Sequence, residues 1–578
     1  MSDERKASLA VLLSILVIFT WTNLFMAPTT PVPSESKPTN EESLENKEAP
    51  AKFQEIKNDG DNGLVENFES VAQNNLKKIT HSDYLESGII DIETDLAKIK
   101  ITKLGGRLLS YQIKDHKEDV SKPDLKELVT AKGIHLPLGA SYGGLDDSNS
   151  KYAIAGVTSG FNLKADKFKT KGKDFSLVLK AQLANGVEIT KQFEFLDSSY
   201  LFNFNVEASS RALDGSNLVV EWSEDLSADF QDNRYNPRSF IYLDSKDSLD
   251  KELIESIPDE NPEVLTKWIG LGDNYFGAII VNPNGLIPTR ISSKLNGNGE
   301  KYLSIKAQGT KEKASFKIYA GPKEPSILRN VGYDLYKAID LGWFAFVGQP
   351  ILMLIKFCYS LFGNYGLAIV FVTLLIKILL LPLTKTSFKS MRAMQDIQPE
   401  MKALRERVKD PQMLQQEMLA LYKRKGVNPM GGCLPMLLQI PVFLGMYNAL
   451  QSSIYLRHAE FALWINDLSQ PERLIVWGIP IPFMILLMGG SMFLQTLTTP
   501  TAMDPNQKKI MYFMPVVFTI MFIIYPFPSG LVLYWLVNNI ISFIQQYALR
   551  TETKIHPYRA TFASGILVFG IAYLVTLL

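Results

Sequence analysis

Cysteine is almost missing from this 578-residue chain, which has only Cys358 and Cys433, and its five histidines fall at no metal-ligand spacing. Two cysteines make no disulfide framework, and the topology argued below sets them near opposite faces of a membrane, too far apart for an intramolecular bond. Net charge is missing as well. The 60 Lys and Arg balance 60 Asp and Glu, which excludes a uniformly basic nucleic-acid binder, so no specific nucleic-acid sequence is expected as a partner. There is no Walker A loop, no G-x-S-x-G elbow and no H-E-x-x-H motif. Nothing therefore points to an enzyme, a cofactor or a metal. Residues 27–330 also lack any apolar run long enough to cross a bilayer, which takes about 20 residues.

Such runs are found elsewhere. "ASLAVLLSILVIFTWTNLFM" (Ala7 to Met26) follows a charged start and has no A-x-A cleavage site, so residues 1–26 read as an uncleaved signal anchor rather than a cleaved signal peptide. Residues 27–63 carry five prolines and six glutamates with few large apolar side chains. Burial cannot offset the ordering entropy of such a segment, so a flexible linker is expected over residues 27–84. The hydrophobic period then becomes two. "IIDIETDLAKIKI" and "EITKQFEF" alternate, and "FSLVLKAQLANGVEITKQFEF" centres on Asn185-Gly186, a hairpin signal. Residues 85–335 are thus expected to form one all-β sandwich, mainly antiparallel, on the outer side of the membrane.

The rest is dominated by apolar helices. "LGWFAFVGQPILMLIKFCYSLF" (Leu341 to Phe362) is interrupted by Gly348-Gln349-Pro350, so residues 336–362 suggest an interfacial helix. Five spans follow within residues 363–550: Asn364–Leu383, Leu434–Leu450, Leu474–Leu497, Ile510–Tyr525 and Ser529–Tyr547. Residues 384–430 carry ten Lys and Arg against five Asp and Glu, whereas the loop 451–473 has only Arg457 and Arg473. The basic loop faces the cytoplasm. The N-terminus then lies inside and the β domain outside. A last apolar run, Ala560 to Leu578 within the tail 551–578, fits either a further span or a helix lying along the membrane.

Inside the first core span sits a lysine. At 100° per residue, Gly366, Thr373, Lys377 and Thr384 fall within about 40° of one another. One reading is snorkelling, since Lys377 is about 9 Å from the cytoplasmic end. The other is a hydrated, positively charged cavity. Tyr534, Asn538, Ser542 and Gln545 line one face of the last span, Gln439 lies in the second span and Thr519 in the fourth. Interhelical hydrogen bonding explains some of these groups. Several amides plus a cation favour a half-wet groove. The segment 385–427 repeats apolar residues every three or four positions, with Pro399 at a break and Asp410-Pro411 suited to start a second helix. It reads as a charged helical hairpin.

The stretches "GNYGLAIVFVTLLIKILLLPLTKTSFKSMRAM", "IQPEMKALRERVKD", "KGVNPMGGCLPMLLQIPVFLGMY", "DPNQKKIMYFMPVVF" and "FPSGLVLYWLVNNIISFIQQ" resemble the YidC family of membrane protein insertases. "KLGGRLLSYQI" and "YAGPKE" are similar to the periplasmic domain of its Gram-negative members. The resemblance implies a polytopic α-helical protein of the bacterial inner membrane. It would have a five-helix insertase core behind an N-terminal anchor, plus the outer sandwich. It implies a hydrophilic groove, open to cytoplasm and lipid, that takes up nascent membrane proteins alone or with the Sec translocon and the ribosome. No cofactor is implied, and a monomer suffices. The family's groove arginine falls on Lys377, its groove threonine on Thr373 and its aromatic pair on Tyr534 and Trp535. The lysine keeps the charge but loses the planar fork. The apolar C-terminus departs from the basic tail of many relatives. The competing reading is a transporter or channel with an extracytoplasmic binding domain.

Overall fold

The computed structural model describes residues 79–577, apart from residues 121, 130–132, 163–164, 184–185, 210–216, 226–235, 255–256, 258–262, 296–300, 428–433, 500–504, 526 and 551–556. The expected signal anchor, most of the linker, Asn185 and Cys433 lie outside the described residues.

Order begins earlier than the linker reading allowed. Helix α1 (His81–Glu86) opens with a capping box, in which the Thr80 N–H donates to Asp83 Oδ2 at 2.8 Å. Tyr84 anchors it, buried, with its hydroxyl donating to the Ile134 carbonyl at 2.8 Å. The alternating segments then become strands. Ile89–Glu93 and Ala97–Thr102 pair antiparallel, with Ile90, Ile92, Ile99 and Ile101 on the buried face. They belong to a five-stranded sheet packed against a fourteen-stranded one. One pair departs from the antiparallel expectation: Ile89–Glu93 runs parallel to Lys167–Lys169. The expected hairpin forms from Phe175–Gln182 and Glu188–Phe195, in register Phe175 to Phe195.

Val264–Gly272 is the hub of the large sheet, pairing with Ser239–Asp244, Phe276–Val281 and Ile287–Leu295. A Cβ at Gly270 would stand 2.2 Å from the Ala278 carbonyl oxygen, so only glycine permits that approach. Trp222 and Trp268 fill the core. One ionic knot interrupts it. Lys191, on the buried face of "EITKQFEF", sits 2.6 Å from Asp147 Oδ2, and Arg107 lies 3.3 Å from Asp147 Oδ1. Lys191 also donates to the carbonyls of Gly105 and Leu138, both at 2.7 Å. Pairing and this hydrogen bonding make the three buried charges tolerable, with only Arg107 Nε left without a partner among them.

After helix α2 (Pro325–Val331) come α3 (Ala345–Phe362), α4 (Tyr365–Asp396), α5 (Gln398–Arg407), α6 (Pro411–Lys425), α7 (Leu434–Gln451), α8 (Phe483–Thr498), α9 (Pro505–Ile524), α10 (Ser529–Arg550) and α11 (Pro557–Thr576). Helix α3 runs unbroken through Pro350, and its Gly348 lies against Gly445 of α7, where a Cβ would meet the Gly445 carbonyl oxygen at 2.9 Å. At its other end Phe362 meets Phe371 of α4 edge to face, with ring centres 5.3 Å apart. Asn364 caps α4, accepting from the Leu367 N–H at 3.0 Å.

Helix α4 does not stop at Leu383. It continues through Pro382 to Asp396 as one 32-residue rod, so the first arm of the expected hairpin is an extension of the span. The break falls at Ile397, two residues before Pro399, which has no N–H for the Gln395 carbonyl and whose ring would crowd it. Asp410 caps α6, accepting from the Gln412 and Met413 N–H groups at 2.8 and 3.3 Å. Ile397, Met401 and Leu421 close α5 on α6, and Lys425 pairs with Glu400.

The expected span Leu474–Leu497 is corrected at its start. Leu474–Val476 and Ile479–Ile481 form a small hairpin, and α8 begins only at Phe483. Trp477 and Gly478 turn it with positive φ at both positions, 50° and 80°, which suits a two-residue hairpin loop. Pro480 and Pro482 lack the N–H that an earlier helix start would need in its ladder. Helices α4 and α10 run parallel: Ile369 stands beside Gly530, and Lys377 beside Ser542. Helix α11 runs antiparallel to both. Thr561 meets Gln545, Gly565 meets Leu374, and Phe569 meets Phe371 and Phe362.

Candidate functional site

Between α4, α7 and α10 lies a cavity of about 20 Å³ lined by Lys377, Thr384, Gln439, Tyr534 and Asn538 with Ile376, Leu380, Leu383 and Val442. It has room for about one water molecule. Lys377 is its one charged lining residue among the described residues. The lysine lies 12 residues beyond Tyr365, about 18 Å along the helix by rise, so it stands well inside the apolar part of α4. Its Nζ donates to Ser542 Oγ at 2.6 Å, and Ser542 donates to the Asn538 carbonyl at 2.7 Å. Gln439 Nε2 donates to Asn538 Oδ1 at 3.0 Å, which ties α7 to α10. The lysine thus reaches across to α10, where Ser542 holds its ammonium.

Four further expected residues are placed differently. Thr373 is buried one turn above Lys377, with its hydroxyl donating to the Ile369 carbonyl at 2.7 Å. Thr519 is turned away from the cavity. Its hydroxyl donates to the Pro515 carbonyl, and its side chain fills the space left by Gly489 of α8. Gln545 is turned away as well, donating to Thr561 of α11 at 3.1 Å. Helical phase alone set it beside Tyr534, but α11 covers that side of α10. Trp535 belongs to an aromatic cluster, stacked on Phe443 at 4.6 Å and tilted against Phe522 at 4.5 Å. Phe527 and Tyr447 extend that cluster. It fills the space between α7, α9 and α10 on the outer side of Asn538. Phe443 and Phe522 went unnoticed in the sequence, because an aromatic ring in an apolar span carries no separate signal.

The flanking amides serve the bundle. Asn539 donates to Ser491 of α8 at 3.3 Å, and Gln546 accepts from Thr498 and Thr499, both at 3.0 Å. These are the interhelical bonds expected of polar residues in a membrane. Asn448 donates to the Leu341 carbonyl at 2.9 Å and so fixes α7 to the segment leading into α3.

The family model described as 60Kd inner membrane protein matches residues 357–556, and the one described as YidC periplasmic domain matches residues 89–354. The membrane protein insertase YidC of Syntrophus aciditrophicus (strain SB) is 35% identical over 574 residues, covering 95% of this chain and 100% of its own. The chain belongs to the YidC family of membrane protein insertases. The YidC of Pelobacter propionicus is 36% identical over 79% of this chain and 85% of its own. Among solved structures, an active YidC insertase with its first transmembrane domain resolved is 19% identical, with a TM-score of 0.34, and covers 80% of this chain and 92% of that one. The first of these models covers the apolar helices from within α3 onward, and the second covers the all-β sandwich and runs on into α3.

Proposed function

We propose that this chain inserts nascent proteins into the bacterial inner membrane, and that the α4–α7–α10 cavity is the closed form of the groove that receives them. The observation that carries this reading is a cation, Lys377, facing amides and hydroxyls from two other helices well inside the apolar part of α4. Helix α7 packs more closely on α3 than on α4 or α10, and an outward shift of α7 that releases the Gln439–Asn538 bond and the Phe443–Trp535 stack widens the groove. A hydrophilic substrate tail then exchanges water for Lys377, Gln439, Asn538 and Tyr534, while its apolar segment leaves between helices into lipid. Burial of that segment supplies the driving force. Lys377 attracts acidic tails as a point charge without bidentate geometry.

The remaining topology follows from the same reading. The basic α5–α6 hairpin faces the cytoplasm and is the side from which the ribosome delivers substrate, with the Sec translocon as an alternative donor. The sandwich faces the periplasm and the N-terminus the cytoplasm. Helix α3 lies along the outer leaflet: its ends touch Gly445 and Phe371, each six residues inside the outer end of its own helix. Helix α11 is a further span, which puts the C-terminus outside. Its 20 residues cover about 30 Å, and its partners run from Gln545 of α10 to Leu374 and Phe371 of α4. A transporter reading needs polar groups over the whole depth. The aromatic cluster around Trp535 occupies the outer part instead.

The test is insertion into reconstituted vesicles of a substrate with an acidic tail. Lys377→Arg should keep most activity. Lys377→Glu reverses a charge interaction worth about 1–4 kcal/mol at contact, depending on hydration, and should slow insertion at least tenfold. Wild-type rates for the Glu variant would refute the groove's charge role.

A further inference from the structure

A second and larger cavity, of about 230 Å³, lies far from Lys377, where α2 and the segment before α3 meet α3 itself. Its two charged lining residues among the described residues are Arg329 and Lys356, both exposed and both cations. Its floor is apolar, made by Ile339, Leu341, Leu352 and Met353. Among the described residues, the one carboxylate in an ion pair with either cation is Glu324, 3.8 Å from Lys356 Nζ, and Tyr455 bridges the two. Lys356 donates to the Tyr455 hydroxyl at 2.8 Å, and that hydroxyl donates to Glu324 at 3.3 Å. Two cations and one carboxylate leave one positive charge. Arg329 lies over the Tyr336 ring, 5.8 Å from its centre, with its guanidinium donors free to turn into the cavity.

What surrounds this cavity is made for lipid. Trp343 and Phe346 are 91% and 71% exposed, and Met353, Phe357 and Leu361 continue the same apolar exposure along α3. An aromatic and apolar face beside two cations matches the boundary between acyl chains and head groups. A soluble anion would find the charges but gain nothing from Leu352 and Met353. A neutral lipid would find the floor but leave the charges unmatched.

We propose that this cavity binds the phosphate head group of an anionic phospholipid from the outer leaflet, with an acyl chain laid over Leu341, Leu352 and Met353. The phosphodiester carries the single negative charge the site lacks, and an arginine is suited to its oxygens. The bound lipid fills the corner between α2 and α3 and so fastens the sandwich to the membrane surface. The proposal rests on α3 lying along the outer leaflet, as argued above.

The experiment uses the full chain in nanodiscs of equal phosphatidylglycerol and phosphatidylcholine, followed by native mass spectrometry of retained lipid. Wild type should retain phosphatidylglycerol preferentially. Removing both cations in Arg329→Ala/Lys356→Ala should cut that preference roughly thirtyfold at low salt. Met353→Trp, which fills the cavity and keeps both charges, should cut it as well, so the result does not hang on one variant's folding. Equal retention by wild type and both variants would overturn the site. Displacement of the lipid by millimolar inorganic phosphate would reassign it to a soluble anion and overturn the lipid proposal. A separate arm measures quenching of Trp343 by brominated lipid, with Trp343→Phe as reference. No quenching sinks the placement of α3, whereas quenching with unchanged lipid preference sinks the site alone.

Discussion

Lys323, in the "YAGPKE" stretch where the sandwich ends, should make the β domain's stability depend on pH in an unusual direction. Its side chain is 4% exposed, and its Nζ donates to the Asp273 carbonyl at 2.7 Å. Burial, followed by the nearby charge of Lys251, brings its pKa down from 10.5 to about 7, against the opposing pull of Asp273 and Asp340. Below about pH 7 both folded and unfolded chains are protonated, and the folded state bears the whole cost of a buried ammonium. Between about 7 and 10.5 only the unfolded chain keeps the proton. Stability therefore rises with pH across that window, by about 1.4 kcal/mol per pH unit. The full range amounts to roughly 3–5 kcal/mol. Lys323→Met removes the ammonium but loses a hydrogen bond worth about 1–2 kcal/mol. The variant should thus be more stable than wild type by about 2–3 kcal/mol near pH 6 and less stable above about pH 10.5. Urea unfolding of the full chain in detergent, followed through the buried Trp222 and Trp268, measures the difference, and other titrating groups cancel in it. A wild-type minus variant difference that stays constant from about pH 6 to 10 would refute this account.

Lys191→Met leaves Asp147 buried without its closest cation and should destabilise the sandwich by about 3–5 kcal/mol, read in the same unfolding assay. Gly445→Leu forces a side chain into Val347, which a Cβ already meets at 3.0 Å, and should cost about 1–3 kcal/mol of thermal stability. Gly490→Leu is the control, since nothing stands within 4 Å of a Cβ there. A cysteine at Thr576, with Cys358 and Cys433 replaced, should react with an impermeant maleimide added to spheroplasts. Reaction only after permeabilisation would place the C-terminus inside and refute the crossing of α11.

The same sequence was legible to different depths in its two halves. The alternation of "IIDIETDLAKIKI" declared strands, because strand side chains alternate faces and only one face is buried. It did not declare that Lys167–Lys169 would join that sheet in parallel, since such pairing depends on what the intervening chain brings near. Lys191 occupies a buried position in a strand pattern that reads as ordinary, and only its carboxylate partner, 44 residues earlier at Asp147, makes it admissible. In the helices, the cap at Asp410 follows from local hydrogen bonding and stands where the sequence set it, and α4 starts beside Asn364, where its span was expected to begin. The start of α8 did not follow, because apolar composition is the same for a hairpin of Leu, Ile, Val and Pro as for a helical turn.

For the groove, the sequence by itself determined the inventory: one cation in the first core span, amides and hydroxyls on the last, and the family motifs around both. Helical phase is a local property, so Lys377 and Thr384 could be aligned without any fold. What a phase cannot supply is the neighbour. The tertiary structure decided that Asn538 and Gln439 face the lysine, while Gln545 turns to Thr561 and Thr519 to Gly489. It also set the Lys377 ammonium against Ser542, within reach across a helix interface. Contacts between helices far apart in the chain are set by packing and small residues at crossings, and no single segment encodes them.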